Sequence, residues 1–65
     1  MLFFYSGYIL SKADGRQLAS THGTIAIDNI TNLLIKVGDE MLSYYTGRVP
    51  EGGLNVHIVA LNRIK

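Results

Sequence analysis

Cysteine is absent from this 65-residue chain, so neither a disulfide nor a thiolate metal site is open to it. Charge is sparse too. Charged residues make up 17% and the formal net charge is +1, with no long run of either sign to attract nucleic acid or an anionic surface. The N-terminal apolar run Leu2-Phe3-Phe4-Tyr5-Ser6-Gly7-Tyr8-Ile9-Leu10 is too short to cross a bilayer as a helix. No Lys or Arg precedes it and no small-residue cleavage site follows, so it does not read as a signal peptide, and a cytoplasmic protein with no membrane association is expected.

Chemical signatures are missing as well. His22 and His57 are the only histidines, and no carboxylate cluster joins them to complete a metal site. Asp14 belongs to a turn, Asp28 to a helix start, Asp39 and Glu40 to the outer side of a helix and Glu51 to a loop. No carboxylate pair therefore has a spacing suited to acid/base work. Ser20-Thr21-His22 are polar strand positions rather than a triad. Gly52-Gly53 leads into a strand, whereas a phosphate-cradling loop leads into a helix. The second residue is Leu2, which excludes the N-terminal proline of the small β-α-β tautomerases. The expectation is a non-enzyme with no catalytic residue, cofactor or metal.

What remains is a patterned, apolar chain. Hydrophobic residues reach 48%, a large share for a length that permits one core, and residues 1–65 are read as a single domain. A core of this size supplies roughly 3–5 kcal/mol of net stability, and with no covalent staple the remaining support is association with another chain.

The first apolar run is a strand that turns at Lys12-Ala13-Asp14-Gly15, where Asp-Gly supplies the positive φ of a tight hairpin. The return strand runs from about Arg16 to Ile27, with Leu18, Ile25 and Ile27 in the core and a bulge or bend at Gly23. From Asp28 the period changes. Ile30, Leu33, Leu34, Val37, Met41, Tyr44 and Tyr45 form a stripe at helical spacing, with Asp28 as N-cap and Gly47 ending the helix in the left-handed region ahead of Pro50. Leu54 to Ile64 is the third strand. Leu54, Val56, Ile58, Ala60 and Ile64 face the helix, and His57, Val59, Leu61 and Arg63 face away. The fold class is α+β, order β-β-α-β: a three-stranded antiparallel sheet of order 2-1-3, with one helix packed on one face after a right-handed split crossover.

One helix covers one face, yet the central strand is apolar on both. An interface of Phe3, Tyr5, Ile9, His57, Val59 and Leu61 is therefore expected on the helix-free side. A second strip, Ile35, Gly38 and Leu42, flanks the helix, where Gly38 suggests a close backbone approach. The preferred function is a small non-enzymatic protein-interaction module. It would be a homo-oligomer, a dimer for preference, that pairs sheet face to sheet face and occupies an unidentified protein partner. An accessory or regulatory role of the phage or mobile-element kind suits its size. The rival is a single-stranded nucleic-acid binder that stacks bases on Phe3, Tyr5 or Tyr8 beside His57, Arg63 and Lys65.

Overall fold

The computed structural model describes all 65 residues. β1 (Leu2–Ser11) and β2 (Gln17–Ala26) form a hairpin. A short 3-10 turn (Ile30–Asn32) leads into α1 (Leu33–Ser43), and β3 (Leu54–Arg63) returns along the other side of β1. The sheet order is β2-β1-β3 and both pairings are antiparallel, so the fold is the α+β arrangement expected.

Each junction has a local cause. Gly15 takes φ 73°, the conformation the hairpin needs, while the Asp14 carboxylate accepts from the Arg16 amide at 3.0 Å. The helix starts later than its sequence suggests. Asn29, not Asp28, makes the cap: its side chain accepts from the Thr31 amide (2.8 Å) and hydroxyl (2.7 Å) and holds one 3-10 turn ahead of α1. The helix also stops earlier, at Ser43, with Tyr44 as C-cap. Gly47 does not take the left-handed conformation, which is confined to Gly15, Gly52 and Gly53. Instead Tyr45 folds over Gly47, and its hydroxyl donates to the Arg48 carbonyl at 2.7 Å. A Cβ on Gly47 would sit 2.6 Å from that hydroxyl oxygen.

The sheet has two irregularities, and neither is at Gly23, which stays in register opposite Tyr5. One lies in β2, where Ile9 pairs with Ala19 but Leu10 with Gln17, leaving Leu18 extra. The other lies in β3, where Ser6 pairs with Ala60 but Gly7 with Ile58, leaving Val59 extra. The second reverses the faces of β3 along its length. Val56 and Ile58 point under the helix, but beyond Val59 it is Leu61 that does so and packs on the core. Leu61 therefore leaves the helix-free face where the alternation put it. Ile64 lies past the end of the strand, half exposed.

Tyr5, Val37 and Met41 form the centre of the core, with Ile25, Leu33, Val56, Ile58 and Leu61 packed around them. The expected helix stripe is only partly used. Val37 and Met41 are fully buried, but Ile30, Leu34 and Tyr44 are each more than half exposed. Geometry explains this: ten-residue strands run about 33 Å whereas an eleven-residue helix runs about 16 Å, so α1 spans half the sheet's length and its ends lack an opposing surface. No helix is long and apolar enough to cross a membrane.

Candidate interaction surfaces

The face of the sheet that each β1 residue occupies follows from burial. Phe3, Tyr5, Gly7, Ile9 and Ser11 are buried, so the odd positions lie under the helix. Phe3, Tyr5 and Ile9 therefore belong to the core and not to the helix-free face assigned to them. The deciding signal is at the far end of the return strand: Ile25 and, just past β2, Ile27 are its large apolar residues there, while Ser20, His22 and Thr24 occupy the alternate positions. Because the hairpin pairs Phe3 with Ile25 and Tyr5 with Gly23, the apolar odd positions of both strands face the same way.

The helix-free face carries instead Leu2, Phe4, Tyr8 and Leu10 in one row along β1, interrupted by Ser6. Ser20 and Thr24 pair beside this row on β2, and Asn55, His57 and Asn62 on β3. Its strand positions include no Lys, Arg, Asp or Glu. Tyr8 and His57 are cross-strand neighbours with rings stacked at 6.5 Å and 13° between planes, so His57 is on the open face as expected. The result is an apolar ridge with polar, uncharged flanks.

The remaining interface candidates separate. Val59 stands out at the bulge, 58% exposed. Ile35 is exposed and Leu42 half-buried on the helix flank, and Gly38 between them is buried against β3 of the same chain: a Cβ there would meet Val56 Cγ2 at 3.4 Å, ordinary contact. Its neighbour is thus intramolecular. Of the residues proposed for base stacking, only Tyr8 and His57 share the open face. Phe3 and Tyr5 are covered, and Arg63 pairs with Phe3, which puts it on the helix side.

Two features escaped the sequence reading. The first is a groove of about 360 Å³ between β2 and the end of the helix, lined by Leu18, Ala19, Thr21, Tyr44, Tyr45 and Thr46 among others. Near it the Tyr44 hydroxyl donates to Glu40 Oε1 at 3.0 Å; that hydrogen bond, then the carboxylate's charge, raises the phenol's pKa. Tyr5, buried in the core, is also raised, chiefly by desolvation and then by the Glu40 charge. The second is the outer edge of β2, a ten-residue strand with a neighbour on one side only. No three of the histidines and carboxylates gather into a group that would hold a metal ion.

No protein-family model, curated protein or solved structure matches this chain.

Proposed function

We propose that the protein is a non-enzymatic, self-associating interaction module of the cytoplasm that acts by occupying a protein partner, in an accessory or regulatory role. The observation that carries this reading is the row Leu2, Phe4, Tyr8 and Leu10 on a sheet face that no element of the chain covers and that no charge interrupts. Apolar positions flanked by polar, hydrogen-bonding side chains are the usual make-up of a protein-binding patch. Further support comes from burial. Six hydrophobic side chains form the buried core and nine large ones are exposed, Tyr8 of this row among them, while Leu2, Phe4 and Leu10 are half-buried. The accessible surface of 4508 Å² also exceeds the roughly 4,100 Å² that size scaling gives for a monomer of this mass.

Size argues about the mode. Three strands of this length project roughly 450 Å², about half of what each partner contributes to a standard interface, so face-to-face pairing of two copies would make a weak dimer. The face is better suited to a different protein, whose contacts extend past the sheet. Nucleic acid is the less favoured ligand, because the open face has aromatic and imidazole rings but no cation to neutralise phosphate.

The reading is tested by affinity capture from the native host extract with two baits, wild type and Phe4→Asp, identifying protein and nucleic acid together. A protein retained by the first bait and lost from the second is the expected result. Identical profiles from both, or recovery of nucleic acid in a salt-sensitive manner, would contradict it.

A further inference from the structure

We infer that the cleft beside the β2 bulge takes an acidic peptide segment of a partner protein, with an apolar side chain against Tyr44 and Tyr45 and a carboxylate against Arg16 and Arg48. The inference rests on the proposed protein-binding role and gives it a second surface, away from the open face.

The bulge builds the cleft. Leu18, the residue that β2 carries beyond the β1 register, borders two adjoining hollows. One, of about 360 Å³, lies against Tyr44 and Tyr45 at the end of the helix. The other, of about 300 Å³, is lined by Arg16, Arg48 and Val49. Opposite the bulge, the Tyr45 hydroxyl donates to the Arg48 carbonyl at 2.7 Å and fixes the segment that brings the second arginine to the first.

Charge gives the cleft a direction. Glu40 stands at the tyrosine end, where the Tyr44 hydroxyl donates to its Oε1 at 3.0 Å. Two guanidinium groups stand at the other. Glu51 shares their rim, but neither it nor any other carboxylate lies within 4.0 Å of a guanidinium nitrogen, and Asp14 accepts from the Arg16 amide instead. Both arginines keep their donor forks for a ligand, and a carboxylate fits such a fork with two parallel hydrogen bonds. An acidic group is attracted to the arginine end and repelled from the Glu40 end.

Shape selects a peptide over a small anion. Tyr44 is 61% exposed, so the tyrosine end is a shallow wall, whereas small-molecule sites bury most of their ligand. Main-chain groups are free there too. Met1 and Ile27 exchange hydrogen bonds, and the hairpin register is unbroken from there to Ile9–Ala19. This alternation turns the Ser20 amide and carbonyl away from β1, at the rim of the larger hollow. An extended peptide meets them with its own backbone, as in strand addition. Only four residues separate Ser20 from Arg16, so the apolar and acidic residues of such a peptide lie about two to four positions apart.

The test is selection of phage-displayed random linear peptides on the immobilised full chain, with the enriched peptides then synthesised and titrated by fluorescence polarisation. Enriched peptides should carry Asp or Glu about two to four positions from a large apolar residue. Arg16→Glu with Arg48→Glu, both at exposed positions, should weaken their binding more than about tenfold while the circular dichroism stays that of wild type. Should that variant lose its fold, the peptides decide: changing the acid to its amide, or the apolar residue to serine, should each weaken binding about tenfold. Tyr8→Asp, on the open face, should leave it unchanged. Peptides that bind the double-arginine variant like wild type but are lost with Tyr8→Asp would overturn the inference and leave the open face as the binding surface. A selection that yields no acidic peptide would overturn it without touching the capture experiment on the open face, and movement of the Tyr45 amide resonance on adding adenosine monophosphate would then give the cleft to a small anion.

Discussion

Met41 packs directly onto Gly7: a Cβ added to that glycine would sit 2.8 Å from Met41 Cε and would overlap the His57 carbonyl oxygen on the neighbouring strand. The central strand thus omits a side chain where the helix and the β3 bulge both close in on it. The methyl group can move, but the carbonyl is part of the ladder and cannot. Gly7→Ala is expected to cost at least the roughly 1–3 kcal/mol typical of overpacked core sites, and Met41→Ala about 2–5 kcal/mol through the cavity it leaves. Urea melts read by circular dichroism measure both. Either loss is comparable with the whole stability expected of so small a core.

Gly38 makes the opposite prediction. It is buried in the middle of α1, but a Cβ there meets only Val56 Cγ2, at 3.4 Å. Gly38→Ala should therefore gain helix propensity, stabilising the protein by about 0.5–1 kcal/mol in the same melts. Destabilisation would mean that the helix needs to approach β3 more closely than it does here.

These two glycines show what was readable from the chain alone. The order of elements, the sheet topology and the hairpin turn follow from the change of period at Asp28 and from Asp14-Gly15, because local chemistry sets them. Faces depend on pairing across strands. The first strand is apolar on both sides, so its own pattern cannot say whether Tyr5 or Phe4 faces the helix, and only Ile25 and Ile27 across the hairpin decide it. Val59 is a harder case. Nothing in Leu54–Arg63 marks the bulge, since it arises where Gly7 lets β3 approach, and it moves Leu61 to the covered side. The helix ends, set by Asn29 and by Tyr45 closing over Gly47, depend on side-chain hydrogen bonds that competing residues nearby were equally placed to make.

The two faces of β1 should respond differently to charge. Tyr8→Asp places a carboxylate at an exposed position of the open face and is expected to keep the thermal transition within about 1 kcal/mol of wild type, whereas Phe4→Asp, at a half-buried position of the same face, should cost about 1–3 kcal/mol and still fold. Tyr5→Asp buries an unpaired charge among Val37 and Met41 and should abolish the cooperative transition. One-dimensional proton NMR distinguishes a folded variant from an unfolded one directly.

Acid stability contains a turn contribution. The Arg16 amide, which donates to the Asp14 carboxylate, and then the Ser11 side chain lower its pKa below the ordinary 3.8. A lowered folded-state pKa means that ionised Asp14 favours folding above that ordinary value, and that the contribution disappears as pH falls through the lowered one. Asp14→Asn should accordingly melt earlier than wild type at pH 7, with the gap closing by pH 2. A gap that is constant with pH would assign the effect to turn conformation alone.

Association is the claim on which the functional account depends, and the mass of the untagged wild-type chain by multi-angle light scattering, over low to high micromolar concentration, tests it most directly. The account predicts a concentration-dependent rise to twice the 7.2 kDa of one chain. A mass that stays at 7.2 kDa throughout would contradict it.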